Sequence, residues 1–363
     1  MAHLEAVVNL PLTSEIGVNR REIVFDGQSL ITPESVKREV FSSPDLTNEH
    51  QLAAAEAQVA LVLSIAKQQV DAGQEPALII DRLIKSLHEI RDRYWSIWAQ
   101  LVPVVQNHPI RAYFHEDPFT RWSFEKPRGY SGDAHLIDFI YGHPSVAHEI
   151  RSASPLGRTL HEYTKNAPSA VAVRERRDLL TRYVDEVAGD RGAETEILTV
   201  AAGHLREADR SVALKEGRIK RWVALDQDPL SVGATARDFN GTCVEAIDGS
   251  VRGLLTKSQK LGTFDFIYAA GLYDYLADKV AVKLTQTCLD MLKPGGMFLF
   301  ANFSTEVPDD GYMETMMNWT LLLRSQSDMW KIINESAAGH DVDSEVMFGA
   351  NRNIIYGTIK KRS

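Results

Sequence analysis

From about Glu196 onward, short apolar runs alternate with stretches of helical length, and this alternation limits the possible folds more than any other feature of the chain. The runs are residues 197–201, 221–226, 243–247, 264–269 and 296–301. Strands buried on both faces read as continuous apolar runs, and the helices between them are the crossovers that a parallel sheet requires. Residues 312–334 read as one long helix. Beyond it, residues 345–348 and 354–359 flank a turn at 351–353 and read as an antiparallel hairpin closing one sheet edge. The expected class is α/β.

The first half carries a different pattern. Residues 21–27 read as a short strand closed by a turn. From Asn48, the residues Leu52, Ala55, Val59, Leu63 and Ala66 recur at three- and four-residue spacing, which is one apolar face of a helix. Residues 76–102 read as a second helix, with Ile79, Leu83, Leu87, Ile90, Tyr94 and Ile97 on one side and Pro103 as its end. In the segment 108–142, Tyr113, Phe114, Phe119, Trp122, Phe124, Tyr130, Phe139 and Tyr141 are interleaved with Pro118, Pro127, Gly129 and Gly132. That segment reads as loop-rich yet too aromatic for a solvated linker, hence as a plug between domains or a lid over a pocket. A further helix runs from Pro168 to about Val187. The implied division is a mainly helical lid or substrate domain over 1–165 and the α/β domain over 166–363.

Composition narrows the function. The 363 residues are 44% hydrophobic and 25% charged, as in an ordinary globular protein. A formal charge of −9 argues against binding a nucleic-acid backbone, which needs an excess of Lys and Arg. Cys243 and Cys288 form no Cys-x-x-Cys pair, so a thiolate zinc site is excluded and no metal is expected. No apolar run approaches the roughly 18 residues of a membrane span, and the first residues lack the basic start and apolar core of a secretory leader. The expectation is a cytoplasmic protein whose partner is a small molecule rather than nucleic acid or membrane. The oligomeric state is left open.

In an open α/β sheet the ligand sits at the carboxyl ends of the strands. The first run leads into Ala201-Ala202-Gly203-His204-Leu205, where small residues let a ligand approach the backbone. Only Gly203 is a glycine, so the turn reads equally as a plain strand-to-helix connection. The second run ends in Asp226 and Gln227, and an acidic side chain there accepts hydrogen bonds from a ribose diol. The third is followed by Asp248, Gly249 and Ser250, which suit either an adenine amine or a helix cap. The fourth leads into Ala270, Gly271, Tyr273 and Tyr275, small residues followed by aromatics. Leu292-Lys293-Pro294-Gly295-Gly296 reads as a structural turn.

These marks in this order resemble the class I S-adenosylmethionine-dependent methyltransferases over 196–363. The resemblance implies a Rossmann-like sheet of seven strands whose last two form the antiparallel hairpin. It also implies S-adenosylmethionine as co-substrate or as the substrate itself. Ala201, Gly203 and His204 would meet its methionine part, Asp226 and Gln227 its ribose, Asp248 and Gly249 its adenine, with Ala270 and Gly271 along its edge. Thr199, Ala201 and Leu205 stand where the family usually carries an acidic residue and further glycines. A narrower resemblance covers Lys126-Pro127-Arg128-Gly129-Tyr130-Ser131-Gly132-Asp133, Gly271-Leu272-Tyr273-Asp274-Tyr275-Leu276, Ala301-Asn302-Phe303, and Met313-Glu314 with Trp319, Leu321 and Arg324. These resemble a bacterial group that includes 3-hydroxy fatty acid methyl ester synthases and azetidine-2-carboxylate synthases, in which a helical N-terminal part acts as a lid.

The chemistry so implied is displacement at a carbon beside a sulfonium, helped by orientation and exclusion of water. Tyr130, Tyr273 and Tyr275 are the candidate aromatic faces for the cation. Asn302 can orient a nucleophile, while Asp133 and His204 are possible polar partners. Arg174, in the helix before the first strand, is the candidate for a carboxylate, with Arg176 and Arg177 read as a solvated face. Transfer of the methyl group to a small acceptor is the leading reading. Cyclisation of S-adenosylmethionine to azetidine-2-carboxylate and a non-catalytic sensor are its rivals.

Overall fold

The computed structural model describes residues 32–41 and 49–362, so the strand expected at 21–27 lies outside the described residues. The N-terminal helices are α1 (Pro33–Val40), α2 (Glu49–Asp71), α3 (Pro76–Arg93), α4 (Trp98–Asn107), α5 (Arg111–Phe114), α6 (Pro118–Glu125), α7 (Ala134–Tyr141), α8 (Ala147–Ser152) and α9 (Pro155–Thr164). The long α10 (Pro168–Arg191) leads into β1 (Glu196–Val200). Strands and helices then alternate: α11 (Val212–Lys215), β2 (Arg221–Asp226), α12 (Pro229–Asp238), β3 (Val244–Asp248), α13 (Val251–Leu255), β4 (Phe264–Ala269), α14 (Asp278–Asp290) and β5 (Leu292–Phe303). Last come α15 (Asp310–Thr315), α16 (Gln326–Ser336), β6 (Val342–Phe348) and β7 (Ile354–Lys361).

Among the described residues the sheet has seven strands in the order β3-β2-β1-β4-β5-β7-β6. β1 pairs in parallel with β2 and β4, while β7 runs antiparallel to both β5 and β6. This is the Rossmann-like arrangement that the resemblance implies, with the hairpin that the strand pattern predicts. The chain winds outward from β1 to β3, then returns to β4 on the other side. The carboxyl ends of β1 and β4 therefore flank the point where strand order reverses, where such sheets open a crevice.

Side chains alternate across a strand, and here both faces are apolar. Ile197, Trp222, Phe266 and Leu299 face α10 and the N-terminal helices. Their neighbours Leu198, Val223, Ile267 and Phe298 face α14 and α16. On the first face a continuous set of buried residues runs from Ala55 and Leu63 of α2 through α3 and α10 to Tyr356 of β7. Gly357 lies where β7 crosses β5, and a Cβ there would meet Phe300 Cε1 at 2.5 Å. Among the described residues no helix is long and apolar enough to cross a membrane.

Three expectations are corrected. The helix read over 76–102 ends at Arg93, and Pro103 lies inside α4 rather than closing a helix. The proline withholds one N–H from the carbonyl of Ala99, which is exposed and open to water. The segment 108–142 is largely helical: Pro118 starts α6 at its first turn, where its missing N–H costs nothing, and left-handed Gly142 caps α7. The single helix read over 312–334 is two helices, interrupted by Asn318 at φ 50° and restarted by a reciprocal Ser325–Asp328 capping box.

Candidate functional site

A cavity of about 1390 Å³, its open mouth included, lies at the carboxyl ends of β1, β2 and β4. Its floor is the turn after β1. Ala201, Gly203 and Leu205 have φ of 57°, 56° and 51°. The glycine-poor turn thus keeps left-handed backbone at Ala201 and Leu205 without glycine. Gly203 N donates to Asp226 Oδ2 at 2.7 Å, and Asp228 N donates to Oδ1 at 2.8 Å. Both oxygens of Asp226 are fixed by backbone, yet a carboxylate has about four acceptor positions, so two remain for a ligand. Burial, set against those two hydrogen bonds, raises the Asp226 carboxyl to about 6.

A second group of charges anchors the helical layer to this turn. His204 Nδ1 lies 2.9 Å from Asp138 Oδ2, and Arg206 donates to both oxygens of the same carboxylate at 2.9 and 3.0 Å. Asp138 is well below the usual carboxylate range, its His204 and Arg206 hydrogen bonds outweighing its burial. Arg128 donates to Asp228 Oδ2 at 2.7 Å, and the Tyr130 hydroxyl donates to the same oxygen at 3.1 Å. The loop before α7 is thereby tied to the start of α12.

The expected residues divide. Ala201, Gly203, His204, Asp226, Gln227, Gly249, Ala270, Gly271, Tyr130 and Tyr275 all line the cavity. Asp248 does not: its side chain is exposed, while the neighbouring Gly249 reaches the wall. The Cβ position at Gly249 is taken up by the side-chain ends of Gln259 and Leu225. Tyr273 is corrected to the opposite face of the sheet, where its ring lies 4.5 Å from Phe300 and its hydroxyl meets Thr285. Asn302 is corrected to a buried positioning role: it accepts from Arg324 Nη1 at 2.6 Å and donates to the Leu322 carbonyl at 2.7 Å. Arg324 in turn holds the carbonyls of Tyr273 and Leu276, bracing the loop after β4. Asp133 is occupied as the cap of α7, accepting from Leu136 N and from Trp122 Nε1.

Arg174 is also corrected. It donates to the carbonyls of Ile140 and Lys165, away from the cavity. Two residues further along α10, Arg176 is buried and lines the cavity instead, with Glu207, Tyr268 and Tyr141 around it. The sequence carried a signal for this: Val173, Arg176 and Leu180 follow the i, i+3, i+7 stripe of a buried helix face. Also unforeseen is α1, which with its N-cap Thr32 supplies Pro33, Val36 and Lys37 as a roof. Its Lys37 donates to Asn318 Oδ1 at 2.8 Å. Of the aromatic residues in 108–142, Tyr130 and Tyr141 reach the cavity, while Phe119, Trp122 and Phe139 pack on one another.

No protein-family model and no curated protein matches the chain. Among solved structures, one described as a possible exported protein from Bordetella parapertussis is similar at 17% identity over 88% of this chain and 100% of its own, with a TM-score of 0.53. A putative methyltransferase from Thermobifida fusca aligns over 63% of this chain and 94% of its own at 15% identity and a TM-score of 0.45. The N-methyltransferase NodS from Bradyrhizobium japonicum, in complex with S-adenosyl-L-homocysteine, aligns over 62% of this chain and 100% of its own at 18% identity and a TM-score of 0.38. At 17% identity the likeness to the Bordetella protein is one of fold, and it extends over 88% of this chain.

Proposed function

We propose that the protein is an S-adenosylmethionine-consuming enzyme that transfers the methyl group to a small-molecule acceptor. The observation that carries the reading is Asp226: a buried carboxylate at the end of β2, held by two backbone N–H groups, with acceptor capacity left over beside a turn of small residues. A ribose diol supplies the two donors that such a carboxylate lacks. Gly271 leaves room at the wall, a Cβ there meeting nothing nearer than Arg176 Nη2 at 3.7 Å.

When bound, S-adenosylmethionine supplies a sulfonium whose methyl carbon is open to attack by an external lone pair. The chain's contribution is orientation and a dry setting. Tyr130, Tyr141 and Tyr275 line the cavity and offer aromatic faces, which stabilise a cation within about 6 Å of the ring centroid. The Tyr275 hydroxyl accepts from Trp319 Nε1 at 2.8 Å, so its ring is fixed before any ligand arrives. α1 and the loop before α7 close the cavity from above, which fits a lid formed by the N-terminal part over 1–165.

Cyclisation of S-adenosylmethionine is kept as a second reading on one observation. Glu207 is a buried carboxyl on the cavity wall, raised by burial, and so a possible acceptor for a proton from the ligand's own amine. The test is to incubate the purified protein with S-adenosylmethionine and identify the nucleoside released. S-adenosylhomocysteine formed only with an acceptor supports methyl transfer. Methylthioadenosine formed without one replaces it by cyclisation, and binding without turnover replaces it by a sensor.

A further inference from the structure

Two lysines meet at the roof of the cavity. Lys37 of α1 donates from Nζ to Asn318 Oδ1 at 2.8 Å, and Lys126, which caps the end of α6, donates from Nζ to the Asn318 carbonyl at 2.6 Å. Both side chains are half-buried, and no ion pair joins either ammonium to a carboxylate among the described residues. The exposed Glu34 is the acidic group whose charge acts on both. Burial lowers Lys37, and burial together with the Lys37 charge brings Lys126 down to about 7. Two like charges bonded to one neutral residue repel each other and lose hydration, which is costly unless an opposite charge joins them. The chain carries a formal charge of −9 and has no general attraction for anions, so this pair is a local feature. The floor of the cavity and the strand ends are taken by the nucleoside in the reading above. The roof is left over: Thr32, Pro33, Val36, Lys37, Ser131 and Thr320 line it, and Lys37 is the charged side chain among them.

We propose that Lys37 and Lys126 form a handle for an oxyanion on the acceptor, so that the acceptor is a small molecule bearing a carboxylate or phosphate group. This rests on the reading of the cavity as a methyl-transfer site and adds the class of its second substrate. Lys37 meets the oxyanion from the cavity wall, since an ammonium has N–H donors beyond the one that Asn318 takes. Lys126 is off the wall, and it adds a second positive charge beside the first through the shared Asn318. An oxyanion so held has its lone pairs engaged and is a poor nucleophile. It therefore serves to hold the acceptor, and the atom that takes the methyl group is another.

The test is calorimetric titration of the full-length protein, saturated with S-adenosylhomocysteine, with benzoate, neutral benzamide and inorganic phosphate at low ionic strength. In the unaltered protein at least one of the two anions binds about tenfold or more tighter than benzamide, the scale of one charge-assisted contact. Benzoate as the tighter anion supports a carboxylate on the acceptor, and phosphate as the tighter one supports a phosphorylated acceptor. Lys37→Gln and Lys126→Gln remove a charge and keep a donor for Asn318. The first weakens the anion about tenfold and the second about threefold, while benzamide and S-adenosylhomocysteine affinities stay within about twofold. If Lys126→Gln does not fold, Lys37→Gln and the benzamide comparison decide. Neither anion binding tighter than benzamide, or anion affinity unmoved by the substitutions, overturns the handle and leaves the nucleoside reading standing. Failure of S-adenosylhomocysteine to bind overturns that reading, and the same titrations without it then judge the lysine pair alone.

Discussion

Ala201 and Leu205 hold left-handed backbone with a Cβ in place, a conformation that costs roughly 1–2 kcal/mol per non-glycine residue. Strain of this kind persists where the surroundings over-determine it, and here Gly203 N is held by the Asp226 carboxylate between the two residues. Replacing Ala201 by glycine removes the clash and adds about 0.5–1 kcal/mol of chain entropy, so Ala201→Gly should leave stability unchanged or slightly raised. A loss above about 1 kcal/mol in chemical denaturation would contradict the strain. Asp226 gives a pH signature. Its carboxyl is raised to about 6 chiefly by burial, with the backbone N–H groups of Asp228 and Gly203 opposing. The ionised form accepts the ribose donors, so affinity is complete well above pH 6 and falls as pH drops through it. Isothermal titration at pH 5, 6 and 8 checks this, and pH-independent affinity would remove Asp226 from the site. Arg174 and Arg176 show the limit of reading single residues: at about 100° per residue they point some 200° apart, one to the loop carbonyls and one into the cavity.

β1, β2 and β4 were legible as elements because their apolar runs are buried on two faces, whereas β3 and β6, the edge strands, are only partly buried and were legible by their place between turns. What periodicity could not show was where long helical patterns break. Asn318 interrupts 312–334 because the segment between α15 and α16 is bonded to the rest of the molecule: Leu322 N donates to the Asp274 carbonyl and Arg324 N to that of Phe303. α15 is held by a buried charge group, with Arg91 donating from Nε to Glu314 Oε2 at 2.8 Å and Trp98 Nε1 to the same oxygen at 2.6 Å. Removing Glu314 takes one of two buried carboxylates from Arg91, Asp310 Oδ2 staying 2.7 Å from Nη1, and leaves Trp98 Nε1 without its acceptor, so Glu314→Ala should destabilise by about 1.5–3 kcal/mol in urea unfolding. A change below about 1 kcal/mol would show that α3 and α15 are joined by other contacts. Gly357→Ala should cost about 1–3 kcal/mol, because the added methyl meets the Phe300 ring between β7 and β5.

At the scale of the molecule, the helical layer and the sheet share one continuous buried core, and the cavity takes its walls from both. Ligand binding should therefore stabilise both parts together. At a ligand concentration of about 100 times Kd the gain is about 2.7 kcal/mol, which moves one unfolding transition upward without splitting it. Scanning calorimetry with and without S-adenosylhomocysteine checks this, and two transitions of which one moves would mean that the halves unfold separately. Asp226 and the small-residue turn pointed in the sequence to the cavity end of the sheet, but the roof was not legible: Thr32 and Ser35 form a capping box that marks where α1 starts, not what it packs over. The most direct measurement is equilibrium binding of S-adenosylmethionine to the unaltered protein and to Asp226→Ala. Saturable binding at one site, weakened by about 1–3 kcal/mol in the variant, is what the buried carboxylate predicts. Absence of binding by the unaltered protein, or equal affinity in the two, would contradict it.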